Sequence, residues 1–310
     1  MFRLTTFGES HGPAIGGVIE GCPSGVKVDF QFIDTELQRR KTASSETVSQ
    51  RMEPDQVEWL SGLLDGVTLG TPIAFLVRNV DACSEDYADL KDQFRPSHAD
   101  YTYQKKYGIR DWRGGGRASA RTMLPYVVAG AIAKQLLKER GITVTASVTS
   151  IGGETDPIKQ EALLRQCREA GDTVGGIVHG SIIGLPAGLG EPLDNKFQAC
   201  LAKAMFTIPA VKGFEYGDGF AMAGMKGSEA NDLMIRRELQ TPGNTDGSVT
   251  FLTNHSGGIQ GGITNGEEVF FNVAFKPIPT LGRGDRHDVC ALPRAVVIVE
   301  AMAAITVLQI

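Results

Sequence analysis

Residues Arg110–Arg140 read RDWRGGGRASARTMLPYVVAGAIAKQLLKER, and the change of character inside this stretch sets the reading of the whole chain. The second half has the marks of a helix over Pro125–Arg140. Pro125 suits the first turn, where its missing N–H costs nothing. Val127, Val128, Ala131, Ile132 and Leu136 recur at helical spacing, and Gly141 is the expected stop. The first half carries Arg110, Arg113, Arg117 and Arg121 around Gly114, Gly115 and Gly116, just before the helix begins. Guanidinium groups bind phosphate and carboxylate in forked pairs, glycine turns expose backbone N–H groups, and a helix start adds positive potential. The arrangement reads as an anion site; the plainer alternative is a solvated basic loop.

Outward from this stretch, strands and helices alternate. Toward the N-terminus a strand, a glycine-rich turn over Gly8–Gly12 and a second strand near Ile15–Glu20 are expected. Asp29 can cap a helix running to about Arg40, with Ile33 and Leu37 on one face. Thr42–Gln50 reads as a mobile loop, Val57–Leu64 as a short helix or strand, Thr71–Val77 as a strand, and Asp92–Arg121 as mostly loop. Toward the C-terminus, helices are expected over Pro157–Ala170, Asn195–Met205 and Pro293–Leu308, and strands over Thr143–Ser150, Gly176–Ile183, Val249–Leu252 and Glu268–Phe275. The segment His11–Gly21 echoes His255–Gly266, each a histidine, a glycine-rich turn and a strand, which marks either two related halves around a shared centre or a chance match of two glycine-rich turns. No linker stands out, so one compact α/β unit over residues 1–310 is expected.

Bulk composition narrows the function classes. With 310 residues, 42% of them hydrophobic, the chain can bury a sizeable core, and 22% charged residues argue against disorder. A net charge of −5 argues against nucleic-acid binding through bulk charge. Yet Arg95–Arg121 holds seven basic residues and two acidic ones, so positive charge is concentrated in one region of an acidic chain. The five cysteines form no CxxC pair, which points to a reduced, cytoplasmic setting without a disulfide framework or zinc site. No signal-peptide core, uninterrupted membrane-spanning run, Walker loop, GxGxxG or metal-ligand spacing is present, so neither membrane nor metal is expected.

Four other clusters carry reactive chemistry. In Gly8-Glu9-Ser10-His11-Gly12 an imidazole sits on a tight turn, suited to proton transfer near neutral pH. In Arg95-Pro96-Ser97-His98-Ala99-Asp100, the carboxylate lies within reach of the imidazole and can orient it. Arg39-Arg40-Lys41 closes a helix and complements its dipole, with Arg51 ten residues on. Arg283–Cys290 places Arg286, His287 and Asp288 together, preceded by Lys276–Thr280. Each has a bland reading as a turn or a salt-bridged loop.

Together these clusters resemble the chorismate synthase family. The matching strings are Thr6–Gly12, Phe94–Gly108, Arg113–Arg121, Gly184–Pro192, Ala210–Gly213, Asn254–Gly258 and Arg286–Asp288, in family order along almost the whole chain. The resemblance implies an α+β fold, a β-α-β sandwich with helices between antiparallel sheets and internal pseudo-symmetry. It also implies a homotetramer. The activity implied is the 1,4-elimination of phosphate from 5-enolpyruvylshikimate 3-phosphate to give chorismate. Reduced FMN is required without net redox change, and NADPH is a candidate external reductant. By position, His11 matches the histidine that protonates the leaving phosphate, and His98 the one that protonates the reduced flavin. Asp288 matches the acid that works with flavin in removing the substrate proton. Flavin binding maps onto Arg117, Ala118, Ser119, Pro209, Ala210, Gly261, Lys276, Pro277, Ile278, Pro279, Thr280 and Arg286. Substrate binding maps onto Arg40, Arg51 and Arg121. The chain departs from the family at Glu46, Thr122 and Tyr126, and its connection between Thr280 and Arg286 is short.

Overall fold

The computed structural model describes residues 1–41, 53–236, 249–279 and 288–310. In chain order its main elements are β1 (Arg3–Phe7), β2 (Ala14–Glu20), α1 (Phe30–Lys41), β3 (Val57–Trp59), β4 (Ile73–Arg78), α2 (Asp100–Tyr107) and α3 (Leu124–Lys138). There follow β5 (Thr143–Ile151), α4 (Pro157–Glu169), β6 (Gly176–Ile183), α5 (Phe197–Thr207), β7 (Val211–Tyr216), β8 (Val269–Phe275) and α6 (Leu292–Gln309). Strand alternation shows which way each sheet faces. In β8, Val269, Phe271, Val273 and Phe275 are buried while the residues between them are only half covered. In β4, Ile73, Phe75 and Val77 do the same.

Two four-stranded sheets result, ordered β1-β2-β4-β3 and β5-β6-β8-β7, with every neighbouring pair antiparallel. Helices α1, α3, α5 and α6 fill the space between them, and one cluster of buried side chains draws on both sheets and all four helices. This is the α+β sandwich that the family resemblance implies. The internal repeat is also visible in strand order: in each sheet the fourth strand of the half is inserted beside the second, a helix lies between the second and third strands, and each half leads to a long apolar helix, although α4 separates the first two strands of the second half. The sequence echo, however, matched non-equivalent positions. His11 lies in the turn between the first two strands of its half, whereas His255 lies between the third and fourth strands of the other.

The helices begin and end where side-chain chemistry dictates. Asp29 Oδ1 accepts from Phe32 N at 2.9 Å, starting α1, and Asp156 Oδ1 accepts from the N–H groups of Ile158 and Lys159, starting α4. Gly141, at φ 73°, ends the turn after α3. Two elements were not expected. Helix α2 buries only Asp100, so it has no apolar stripe to read. Strand β7 is an edge strand interrupted by Gly213. Helix α6 is 18 residues long and apolar enough to cross a membrane by length and composition, but most of its surface is buried against α3, α5 and β5.

A second, polar feature joins the helix layer. Glu300 of α6 accepts two bonds from Arg39, at 2.7 and 2.8 Å, pairs with Lys134 of α3, and accepts from Ala146 N of β5 at 3.0 Å. Glu36 of α1 closes the group by pairing with both Arg39 and Lys134. The two cations and two anions balance, so the buried Glu36 and Glu300 are compensated, Arg39 reaching them from the surface, and the group fixes the register of α1, α3 and α6.

Helix α3 crosses α6 at Gly130, where a Cβ would lie 2.3 Å from Ala301 Cβ and 2.5 Å from its Cα. Replacing glycine by alanine in a helix ordinarily adds about 1 kcal/mol of stability. Here overpacking against backbone costs about 1–3 kcal/mol and has no flexible side chain to displace. Gly130→Ala is therefore expected to lower stability in urea unfolding, against the propensity trend.

Candidate active site

The site is built around the glycine triplet. Gly114, Gly115 and Gly116 have φ of 55°, 83° and 53°, a run of left-handed conformations that side chains rarely adopt. The triplet's backbone lies against both candidate imidazoles. A Cβ on Gly114 would fall 2.0 Å from Cε1 and Nδ1 of His11, and one on Gly115 would fall 3.3 Å from Cε1 and Nε2 of His98. Beneath them Arg117 ties the loop to the first sheet, donating to Gly8 O at 2.9 Å and Thr6 Oγ1 at 2.8 Å. Ser10 N donates to Gly116 O at 3.3 Å, and Tyr87 meets the His11 ring edge-on at 5.1 Å. Ser119 Oγ accepts from Arg121 N, and Thr122 Oγ1 donates to Arg117 O and Ser119 O, so the departure at Thr122 serves this loop as a brace.

His98 is held from the other side. Asp100 Oδ1 lies 3.0 Å from its Nδ1, close but out of hydrogen-bond alignment, and Nδ1 has no aligned hydrogen-bond partner among the described residues. Asp100 is itself clamped by Arg95, which donates from Nε at 2.8 Å, from NH2 at 3.0 Å and from its backbone N at 3.1 Å. Burial alone would raise the Asp100 pKa, but the Arg95 bonds and the nearby His98 outweigh it and bring it to about 2. Burial pushes the His98 pKa below its ordinary value, helped by the Arg95 charge and only partly offset by Asp100. Lys276, just after β8, donates to Ser97 O at 2.7 Å, so the second half of the fold pins the loop that carries His98.

A third group of side chains meets at Asp55, a residue that no sequence signal singled out. Arg40, at the end of α1, donates to Asp55 Oδ2 at 2.6 Å, and Arg121 donates to Asp55 Oδ1 at 3.0 Å. Arg121 Nε also donates to Asn79 Oδ1 at 2.6 Å, and Asn79 Nδ2 in turn donates to Glu9 O and Gly12 O, on either side of His11. Glu53 Oε2 stands 3.7 Å from Arg121 NH2. Arg294, near the start of α6, pairs with Asp288 at 3.6 Å, and both Arg40 and Asp55 lie close enough to influence its ionisation. Contacts thus run from His98 through the glycines and His11 to Asn79, Arg121, Asp55 and Arg40, and the Arg294–Asp288 pair lies within electrostatic reach of the last two.

The structure therefore gathers His11, His98, Asp288, Arg40, Arg117, Ala118, Ser119 and Arg121. Ala210, at φ 70°, accepts from Lys276 N at 2.9 Å, which brings Pro209 and Ala210 beside Lys276, Pro277, Ile278 and Pro279. Gly261 sits apart. Its neighbour Gly262 accepts from Phe197 N at the start of α5, whereas Pro209 follows the end of that helix, about 16 Å away at 1.5 Å per residue. Arg51, Glu46, Thr280 and Arg286 lie outside the described residues. Of the arginines of the glycine-rich stretch, Arg113 is committed elsewhere, forking onto Asp111 at the surface, while Arg110 donates to the carbonyls of Leu90, Lys91 and Gln93 and stands 3.6 Å from Asp100 beside His98. Of the Arg39-Arg40-Lys41 run, only Arg40 and Lys41 face this site. His255 is bonded to Asp218 and Asp232 in the loop before β8. A cavity of about 530 Å³ between α5, β7 and the turn at 219–224 is lined by groups such as Phe214, Phe220 and Met222 and by none of the candidate residues.

Comparison with known proteins gives one consistent result. The family model described as chorismate synthase matches residues 2–310. The chorismate synthase of Christiangramia forsetii is 49% identical, over 98% of this chain and 94% of its own length. That of Porphyromonas gingivalis is also 49% identical, over 99% of this chain and 92% of its own. A solved structure titled as the crystal structure of chorismate synthase superposes with a TM-score of 0.79 at 30% identity, covering 99% of this chain and 90% of that one.

His98 provides a direct check on the electrostatics. Its folded pKa lies below 6.5, so the neutral ring is favoured at pH 7, and its contribution to stability is present above pH 6.5 and is lost as pH falls. An NMR titration should give a midpoint below 6.5. Asp100→Asn removes the group that pulls the value upward, so the midpoint should fall further. A rise in that variant would contradict the geometry.

Proposed function

This chain belongs to the chorismate synthase family of lyases, and from that premise we propose that it converts 5-enolpyruvylshikimate 3-phosphate to chorismate and phosphate with reduced FMN as its cofactor. The observation that carries the reading is the contact of Gly114 and Gly115 with His11 and His98, because it joins three separate stretches of chain into one proton-handling centre. The basic groups suit a phosphorylated acid. Arg40 and Arg121 converge from unconnected elements and sit next to the His11 turn.

The chain's own groups also suit FMN. The Gly115 backbone leaves open the space beside His98 that a side chain would crowd, Lys276 and Arg117 bring cationic donors to the two flanks, and the Ala210 turn lies against Lys276. The chemistry such a cofactor supplies is transient electron density for cleavage of the allylic C–O bond, which is recovered when the ring proton is lost. In this reading His11 gives a proton to the departing phosphate. His98, steadied by Asp100, would line the cofactor's place, where its imidazole could hold or release a proton near neutral pH. Asp288 takes part in removing the substrate proton, and Arg294, 3.6 Å away, orients it. Arg40 and Arg121 hold the substrate anions.

The proposal extends to one catalytic domain over residues 1–310 working in the cytoplasm as a homotetramer. Exposed Leu233, Met234, Ile235 and Leu252, on one hairpin, support association. The test is an anaerobic assay with the enolpyruvyl phosphate and reduced FMN, with NADPH supplied as reductant in a parallel arm. Chorismate and phosphate should appear together. His11→Ala and His98→Ala should each lower turnover by about 10²–10⁴-fold while melting stays near that of the unaltered protein. Flavin binding without product, or equal turnover without FMN, would overturn the reading.

A further inference from the structure

Asp55 has features that a simple salt bridge does not require. Its side chain is fully buried, with 0% exposure, yet it lies next to groups proposed to bind an anion. Its backbone adopts φ 52°, an unfavourable conformation for a residue with a side chain, held only where surroundings over-determine it. Each carboxylate oxygen is taken by a different arginine: Oδ2 by Arg40 from α1, Oδ1 by Arg121 from the turn before α3. Lys41 Nζ stands 3.8 Å from Oδ2, and Glu53, Arg294 and Asp288 complete the charged surroundings. Arg40 Nε, on a side chain that is itself 10% exposed, has no hydrogen-bond partner among the described residues.

On Coulomb's law alone a carboxylate here is a disadvantage, since it repels the incoming phosphate and carboxylates. Its benefit is geometric. Two guanidinium groups on long, rotamer-rich side chains repel each other and would splay apart without a shared anion between them. We propose that Asp55 is a positioning residue for the reaction: it locks Arg40 and Arg121, one on each oxygen, into a single preformed geometry for the phosphorylated substrate. Through Arg121 and Asn79 the same lock sets the distance from that anion site to the His11 turn. The inference rests on the proposed function and adds a residue to it.

The two effects of Asp55 have opposite signs, so one substitution separates them. Asp55→Asn keeps the shape and tolerates positive φ, and it removes one negative charge. If only charge mattered, anions would bind more tightly. If positioning matters, KM for 5-enolpyruvylshikimate 3-phosphate should rise by roughly ten- to a hundredfold, with kcat changed much less. Calorimetric titration with the same substrate, and with inorganic phosphate, should show the same weakening in protein that melts cooperatively. Should Asp55→Asn fail to fold, Asp55→Glu decides: it keeps the charge and displaces both oxygens, and it should also weaken binding. Binding as tight as that of the unaltered protein, or tighter, in whichever variant folds would overturn the inference. Failure of the unaltered protein to turn over would instead count against the proposed function, and the phosphate titration would still decide the role of Asp55.

Discussion

Everything at the candidate site depends on one contact: bare backbone pressed against two imidazole rings. At Gly114 there is no room for even a methyl group, and at Gly115 there is barely room. Because both residues sit at positive φ, the chain can fold back on itself there and expose its peptide edges toward His11 and His98. That contact sets how closely the two rings approach each other, while hydrogen bonds from Arg117 to Gly8 and from Ser10 to Gly116 hold the His11 turn to the same loop.

The surrounding fold explains why the contact persists. The loop is anchored below by Arg117 on β1 and leads directly into α3, one of the helices buried between the sheets. The other half of the repeat contributes Lys276 after β8 and Asp288 before α6, so the site sits at the seam of two topologically equivalent halves. Two sets of paired charges divide the work. Glu36, Arg39, Lys134 and Glu300 balance one another and fasten the helix layer. Asp55, Arg40 and Arg121 make up a cation-rich group beside the His11 turn. Adjacent residues of α1, Arg39 and Arg40, serve different groups because successive side chains on a helix point about 100° apart.

Much of this was legible in the residues. Periodicity, caps and glycine stops located α1, α3, α4 and α6 to within a few positions, because those helices bury an apolar stripe or carry a capping side chain. The clusters at His11, His98 and Arg117–Arg121 were conspicuous because glycine and basic residues rarely crowd together without cause. What local sequence could not show was pairing across distance. Asp55 and Asn79 are ordinary residues until Arg40 and Arg121 arrive from 15 and 42 positions away, respectively. The anion-site reading of the glycine-rich stretch also overcounts its arginines, because Arg113 forks onto Asp111 at the surface and Arg110 is taken up by carbonyls near Leu90 and by Asp100, partners that only the folded chain supplies. The repeat was suspected from two histidine turns that turned out to be non-equivalent; its actual basis is strand order, which leaves little trace in residue identity.

The most direct test of the account is the turnover of Gly114→Ala measured together with its melting temperature. The added methyl would lie 2.0 Å from the His11 ring, so the imidazole must move, while the rest of the core is untouched. Turnover should fall by about 10²-fold or more, with melting lowered by only a few degrees. Turnover within about twofold of the unaltered protein, in a variant with unchanged melting, would show that the glycine–histidine contact does not organise the site.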